Sequence, residues 1–177
     1  MNINLFKMNV KIKLLTDNAT IPKKSTENAG AWDCTITEII KESPDYVRCK
    51  LGFALQPPPN YRVVLVPRSS ITKTKWILSN SIGIGDSDYF HEYEARFRCL
   101  PSSVYIESNL EQGNDYGRSY DYIKTENNIE YESFPYEVGD RCIQLFLEEI
   151  IPIEFEEVPD INQTTNRIGG FGSTGMS

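Results

Sequence analysis

Short apolar runs, each closed by turn residues, follow one another along the chain, and no stretch longer than about 12 residues carries a helical period. Apolar and polar residues alternate in Asn9–Leu15 and again in Ile153–Val158, as they do in a half-buried strand. The most apolar stretch, Arg141–Ile151, ends at Pro152. Many short strands at regular spacing predict an all-β fold, either a barrel or a jelly roll.

Two local elements can be predicted from their neighbours in the chain. Val47–Leu55 and Tyr61–Val66 are both strand-like, and three prolines and Asn60 lie between them, so we expect a hairpin. Thr72–Ser79 is the segment for which we expect one short helix, because its lysines are free to face solvent.

Length and charge limit the class of protein. A chain of 177 residues suits one hydrophobic core, so we expect a single domain over 1–177 that buries roughly 70% of its surface. The formal net charge of −7 argues against nucleic acid as a partner, because affinity for its backbone depends on Lys and Arg. A small anionic ligand needs only local donors and is still allowed.

The cysteines are widely spaced and the chain has a single histidine, His91. This pattern predicts neither a zinc site nor a disulfide framework. We expect reduced thiols that lie mostly in the core, at Cys34, Cys49, Cys99 and Cys142.

The N-terminal residues do not resemble a secretory signal, since Lys7, Lys11 and Lys13 interrupt their apolar stretches. No run approaches the ~18 apolar residues of a membrane span. We therefore expect a cytoplasmic protein with no membrane partner. Met8 is a candidate alternative start.

Residues 101–135 differ in composition from the rest of the chain, being rich in Ser, Asn, Glu, Tyr and Gly. A structureless connection of this length is unusual in a compact domain, so we expect an insertion that forms a protruding hairpin or a loop. Its tyrosines suit a protein partner, because Tyr supplies contact area at small entropic cost. The alternative is a solvated hairpin without a partner.

Five short segments combine turn residues with side chains that handle phosphate or protons. They are Ala29 to Asp33, Pro67 to Ser70, Asn80 to Tyr89, Gly139 to Gln144 and Arg167 to Gly175. Each alone is unspecific, but in this order they resemble the motifs of the trimeric dUTPase family, enzymes that hydrolyse dUTP to dUMP and pyrophosphate. The resemblance implies a homotrimeric β-barrel or jelly roll of the β-clip type, whose active sites borrow segments from more than one subunit.

The third segment places Asp86 in a Gly-flanked turn between two strand-like stretches, Trp76–Ile84 and Tyr89–Cys99. An ionised carboxylate on a rigid turn can orient and deprotonate a water molecule. By resemblance, Asp86 is the catalytic base whose water attacks the α-phosphorus of dUTP. Asp is common in turns for local reasons, so the surrounding Gly-x-x-Asp-x-Asp-Tyr pattern carries the assignment.

By resemblance, the same turn also binds the nucleoside. The backbone of Gly83, Ile84 and Gly85 pairs with the uracil edge, and Tyr89 packs against the deoxyribose where a 2′-hydroxyl would sit. Asn80 matches the Asn at the start of the motif.

The chain departs from the family pattern at three positions. Gly85 replaces a bulky aliphatic residue, His91 replaces a Gly at the end of the turn, and Ile168 stands where the family often has Gly. Because Gly removes a packed side chain, we expect Gly85 to loosen the pocket floor and to weaken affinity or base selectivity. We expect His91 to be an exposed substitution rather than a second base.

The second and fourth segments are expected to bind phosphate. Arg68 offers a planar fork of donors, and by resemblance it contacts the α- and β-phosphates together with Ser69 and Ser70. Arg141 and Gln144 resemble residues that complete the network of phosphate and water. They face opposite sides of an ideal strand, so they can share one role only if that strand bends.

The resemblance also implies a magnesium ion on the triphosphate, which Asp33 steadies through water. Mg²⁺ keeps several waters and needs only one or two carboxylates besides phosphate, so a clustered metal site is not required.

The glycine-rich C-terminus resembles the arm that closes over bound nucleotide in the family. It is not a P-loop, because no Lys and no following helix are present. We expect a flexible arm over residues 160–177. By resemblance Arg167 meets the γ-phosphate and Phe171 stacks on uracil, and the further contacts come from Gly172, Ser173 and Thr174.

Two alternative functions are compatible with the motifs. A dCTP deaminase of the same fold needs a glutamate on the strand after the turn, where Arg96 and Arg98 stand, while Glu92 and Glu94 lie nearer the turn. A nucleotide-responsive, protein-binding regulator would suit the insertion. Such a binder has no need of Asp86 and Arg167, which this chain retains.

Overall fold

The structure is a computed structural model and describes residues 8–101 and 131–161. No helix in these two ranges is long and apolar enough to cross a membrane. The described elements are β1 (Lys11–Leu14), β2 (Trp32–Thr35), β3 (Glu38–Ser43), β4 (Tyr46–Lys50), β5 (Phe53–Gln56), β6 (Tyr61–Pro67), a 3₁₀ helix (Ser69–Lys73), β7 (Trp76–Leu78), β8 (Gly83–Gly85), β9 (Glu94–Cys99) and β10 (Arg141–Glu149).

Two four-stranded antiparallel sheets share one hydrophobic core. The first has the order β2-β10-β6-β8 and the second β3-β4-β9-β7, while β1 pairs with β5 in a separate ribbon. One cluster contains buried side chains of both sheets, for example Cys34, Val63, Leu65, Ile143, Val47, Trp76, Leu78 and Phe97. The all-β prediction is confirmed.

The cysteines form part of this core and are all reduced and buried, as predicted. A hydrogen bond to Cys49, on the other sheet, and burial together raise the pKa of the Cys142 thiol. Burial also raises the pKa of Cys34. Thiols that stay protonated are inert, so these residues serve packing.

The predicted hairpin between Val47–Leu55 and Tyr61–Val66 is wrong. The first stretch contains β4 and β5, which lie in different sheets, and β6 pairs with β10 and β8. Both edges of β6 are therefore bonded to strands that are distant in sequence. The intervening prolines have no N–H to donate to a local pairing.

The predicted helix over Thr72–Ser79 is also wrong. The 3₁₀ helix Ser69–Lys73 overlaps only its first two residues, and its second half contains β7, whose first and third side chains are buried while the middle one is exposed. That is the two-residue period of a strand. The alternation in Ile153–Val158 does not produce a strand, because no partner strand of the described chain lies beside it, and its side chains are exposed.

A substitution at Gly52 should test how tightly the ribbon packs on the rest of the fold. Gly52 has a φ of +69°, and a Cβ there would lie 2.5 Å from Thr37 Cγ2 and 2.8 Å from the Ala19 Cβ. We expect Gly52→Ala to cost about 2–4 kcal/mol of stability, from the left-handed backbone and the overpacking.

Thermal unfolding measures this effect, at about 2–4 °C of Tm per kcal/mol for a chain of this size. Gly30→Ala is the matched control, because a Cβ at Gly30 meets no atom within 4 Å. Equal Tm values for the two variants would contradict the packing described here.

Candidate active site

One open cleft of about 360 Å³ contains the residues predicted to hold the nucleoside. Strand β8 contributes to it and is held in place by pairing with β6, where Gly85 lies opposite Val63. Asp86 directly follows β8 and its side chain is exposed. The predicted residues that line the cleft are Asn80, Gly83, Ile84, Gly85, Asp86 and Tyr89.

The turn after Asp86 carries the chain from the first sheet to the second. The predicted strand Trp76–Ile84 is interrupted, so that β7 lies beside β9 while β8 lies beside β6. Within the turn, Tyr89 N donates to Asp86 O at 3.1 Å, and the Tyr89 hydroxyl donates to Glu92 O at 3.0 Å. These bonds fix the turn between two sheets, which keeps Asp86 at the edge of the cleft.

The floor of the cleft is filled, contrary to the expectation from Gly85. The Tyr93 ring takes the space that a side chain at Gly85 would need, since a Cβ there would lie 2.6 Å from both Tyr93 Cε1 and the hydroxyl oxygen. Tyr93 is 4% exposed and stacks on Phe53, with ring centroids 6.0 Å apart. The missing side chain at Gly85 is therefore compensated by the large side chain of Tyr93.

Further cleft residues were missed by the sequence reasoning. They are Leu65, Glu92, Tyr93, Glu94 and Arg96. On β9, inward and outward side chains alternate, which places Glu94 and Arg96 together on the outer face. This two-residue alternation is the sequence signal that could have predicted Glu94 and Arg96 as neighbours in the cleft.

Glu94 is the first residue of β9 and lines the cleft. A glutamate therefore does stand on the strand after the turn. It is held by Arg48, whose Nη2 and Nε donate to its two carboxylate oxygens at 2.8 and 3.1 Å. These bonds lower the pKa of Glu94 below its usual value. A carboxylate held in its ionised form is a poor proton carrier, which counts against the deaminase alternative.

A second group of predicted residues surrounds the buried carboxylate of Asp33 on β2, which is 4% exposed. Its Oδ1 accepts hydrogen bonds from Arg68 Nε and Gln144 Nε2, each at 3.0 Å. Its Oδ2 accepts one from Arg141 Nη1, also at 3.0 Å. We call Asp33, Arg68, Arg141 and Gln144 the Asp33 cluster.

The bend in the strand that the prediction required is present in β10. Arg141 pairs with Thr35 and Ile143 with Cys34, which leaves a β-bulge between Arg141 and Ile143. A bulge re-aims the side chains on either side of it. Arg141 and Gln144 can therefore both reach one carboxylate.

The second segment follows β6 into the 3₁₀ helix. Besides its bond to Asp33, Arg68 donates from Nη1 to Arg141 O at 3.1 Å. Ser69 is exposed, whereas the Ser70 hydroxyl lies 3.2 Å from the Tyr136 hydroxyl. Ser69 is thus the more available hydroxyl for an anion.

The residues around Asp33 fit a hydrated cation but not a direct metal ligand set. The described residues contain no group of three or more His, Cys, Asp or Glu side chains that could hold a metal ion. Asp33 uses three acceptor positions of roughly four, which leaves one acceptor position for a metal-bound water. A cavity of about 330 Å³ opens beside it and is also lined by Lys23, Lys24 and Arg141, which suits an anion.

The cleft and the Asp33 cluster are separate in one chain. The residues that line the cleft include none of the cluster, and the cavity beside Asp33 includes none of the cleft. The predicted arm residues Arg167, Phe171, Gly172, Ser173 and Thr174 lie outside the described residues.

The cluster predicts a large effect of removing one charge. Asp33→Asn leaves two guanidinium groups facing an amide, and we expect it to cost about 2–3 kcal/mol, below the usual figure for a fully buried pair because both arginines are partly exposed. Urea unfolding measures the change.

Glu148→Gln is the matched control, since Glu148 forms an exposed ion pair with Arg62. It should cost at most about 1 kcal/mol. An Asp33 variant as stable as this control would show that the cluster does not support the fold.

The Gly85 and Tyr93 pair predicts a reciprocal size effect. Gly85→Val should clash with Tyr93, and Tyr93→Leu should leave a cavity, so each alone should destabilise by about 1–3 kcal/mol. The double variant should recover at least half of the summed loss, because the new side chain fills the space that the ring leaves. Additive losses in a double-mutant cycle of urea unfolding would refute the pairing.

Comparison with curated proteins gives relatives along nearly the whole chain, although no family model matches it. A deoxyuridine 5′-triphosphate nucleotidohydrolase of Helicobacter pylori is 28% identical over 172 residues, which cover 96% of this chain and 99% of the relative. One from Solanum lycopersicum is 26% identical over 171 residues, covering 94% and 81% respectively.

Solved structures share the fold. The Staphylococcus bacteriophage 80alpha dUTPase with dUPNHPP matches with a TM-score of 0.67 at 21% identity, covering 95% of this chain and 99% of the other. The dUTPase from phage phi11 of S. aureus matches with a TM-score of 0.60 at 18% identity, covering 86% and 97%. This chain is thus a relative of the dUTPases in sequence and has their fold, which confirms the resemblance to the dUTPase family.

Proposed function

We propose that this protein is a dUTP diphosphatase that hydrolyses dUTP to dUMP and pyrophosphate. The observation that carries the proposal is the cleft in which the six residues of the third segment that are predicted for the nucleoside and the catalytic base meet. The names of the sequence relatives support the same substrate.

In the proposed mechanism Asp86 is the general base. Its carboxylate is exposed and directly follows a strand that is bonded into a sheet, so it can hold a water in one orientation. The water attacks the α-phosphorus and pyrophosphate leaves. The Tyr89 ring, whose hydroxyl bonds to Glu92 O, packs on the sugar, and Asn80 lines the same cleft.

On the phosphate side, we assign binding to Arg68, Ser69, Ser70, Arg141 and Gln144. The bonds of Arg68, Arg141 and Gln144 to Asp33 support this assignment, because they bring the three side chains together. The cavity beside Asp33, which Arg141 lines together with Lys23 and Lys24, supports it for Arg141. Mg²⁺ is the proposed cofactor and would neutralise the triphosphate when bound. Asp33 would hold one of its waters through the acceptor position that the cluster leaves open.

We propose a homotrimer in which the cleft of one subunit meets the Asp33 cluster of another. Their separation in one chain supports this arrangement. So does the exposed segment after β10, where Ile151, Ile153 and Phe155 are 78%, 71% and 90% exposed. Apolar side chains at this spacing suit a strand that pairs with a neighbouring copy. The arm over residues 160–177 would then close the site with Arg167 and Phe171.

We propose that the whole chain, 1–177, is one dUTPase-like domain located in the cytoplasm, and that its insertion binds a protein partner. Residues 131–135 already belong to the body of the protein, because Trp76 Nε1 donates to Glu132 O at 3.0 Å and Phe134 packs edge-on against Trp76. A phage dUTPase of similar fold is described as having a species-specific insert. The proposed docking segment is therefore 102–130.

Replacing the proposed base tests the mechanism. We expect Asp86→Asn to lower kcat by about 10²–10⁴-fold and to leave binding of dUPNHPP within a few-fold, because the amide keeps the shape of the carboxylate but cannot accept the proton of the water. Pyrophosphate release gives the rate and calorimetry gives the affinity.

Asp88→Asn is the matched control, as Asp88 is an exposed carboxylate of the same turn. Its activity should stay within about two-fold of the unmodified chain. Equal activities of the Asp86 and Asp88 variants would remove Asp86 from the role of base.

A further inference from the structure

The hydroxyl of Tyr93 has no hydrogen-bond partner, and within residues 8–101 and 131–161 no other buried side-chain oxygen or nitrogen shares that condition. The residue is 4% exposed and lines the cleft. An unpaired buried hydroxyl costs free energy, whereas a Phe would fill the same space without that cost. Packing therefore explains the ring but not its oxygen.

The position of this oxygen is fixed by the fold. Tyr93 N donates to Phe53 O at 3.0 Å, and Tyr93 O accepts from Leu51 N at 3.1 Å, which ties the residue to β5 and the turn before it. The ring then extends to β8, where its hydroxyl lies 2.6 Å from the place of a Cβ on Gly85. The absence of a side chain at Gly85 is what lets the hydroxyl reach the strand that lines the cleft.

The chemistry of the hydroxyl is that of a donor. Burial, and then the nearby Tyr89 and Asp86, raise the pKa of Tyr93 to about 12. The phenol is therefore neutral near pH 7 and keeps its proton. A nucleoside offers matching acceptors in its sugar hydroxyl and in its base carbonyls.

The Tyr89 ring is the more exposed neighbour of Tyr93 in the cleft. The two rings meet edge-on with centroids 5.3 Å apart, and Tyr89 is 40% exposed. A nucleoside that packs against Tyr89 therefore lies next to Tyr93, which lines the same cleft.

We propose that Tyr93 is a specificity-determining residue whose hydroxyl donates a hydrogen bond to the nucleoside part of the bound nucleotide. This inference rests on the proposed function and adds to it a contact from a residue that lies outside the five motif segments. Gly85 and Tyr93 then act together, because the missing side chain at Gly85 makes room for the Tyr93 hydroxyl.

The test is Tyr93→Phe, which removes only the oxygen. Loss of a hydrogen bond between neutral groups should raise the KM for dUTP, and the Kd for dUPNHPP, by about 3- to 10-fold while kcat stays within two-fold. The Tm should be equal or higher, since an unpaired hydroxyl is gone. Tyr46→Phe is the matched control, because Tyr46 lies on β4 beside Arg98 and does not line the cleft.

A comparison of dUTP with 2′,3′-dideoxy-UTP identifies the acceptor. If the effect of Tyr93→Phe disappears with the dideoxy substrate, the partner is the 3′-hydroxyl. If it persists, the partner is on the base. Either result supports the proposal.

Three results would overturn it: a KM and Kd within two-fold of the Tyr46 control, a fall in kcat alone, or a rise in KM accompanied by a Tm several degrees lower. The proposed function fails separately, if the unmodified protein does not hydrolyse dUTP. The Kd for dUPNHPP then still decides the role of Tyr93, and an unmodified protein that binds neither nucleotide refutes both.

Discussion

The bonding of the Asp33 carboxylate is the constraint on which the first sheet and the proposed phosphate site both depend. Removing a carboxylate from water costs several kcal/mol unless donors replace the lost hydration. Here the donors come from β10 and from the residue after β6, and their strands flank each other in the sheet. The same bonds therefore hold β2 to the sheet and set the positions of Arg68, Arg141 and Gln144.

This arrangement explains why a β-bulge is tolerated at a central strand. An unbent β10 would turn Arg141 and Gln144 to opposite faces, and Asp33 would lose one of its charged or polar donors. The bulge costs one ladder position, between Arg141 and Ile143, and gains a buried charge that accepts three hydrogen bonds. Stability and the proposed chemistry thus favour the same irregularity.

The sequence predicts the strand character well where one face is buried. The alternation of Asn9–Leu15 and the apolar run from Arg141 both contain the strands expected of them. Prediction from the sequence fails where the pairing of a strand depends on residues far away in the chain. The partners of β6 are 18 or more positions away in the chain, so the nearby prolines suggested a hairpin that does not form.

The same distinction applies to the site. Order and spacing of the motif residues predict the cleft residues from Asn80 to Tyr89, because they are neighbours in the chain. Tyr93, Glu94 and Arg96 reach the cleft only through the pairing of β9 and the crossing between sheets. The expectation that Gly85 leaves the floor open was wrong for this reason, since the ring that fills the space belongs to the next segment.

The most direct test of the account is the rate of pyrophosphate release by the unmodified protein from dUTP, dCTP, dTTP and UTP, in one magnesium buffer and at equal concentrations. We expect dUTP to be hydrolysed at least about 10²-fold faster, in kcat/KM, than each of the others, because the cleft must distinguish both the base and the missing 2′-hydroxyl. Equal rates for the four nucleotides, or ammonia release from dCTP instead of pyrophosphate release from dUTP, would contradict it.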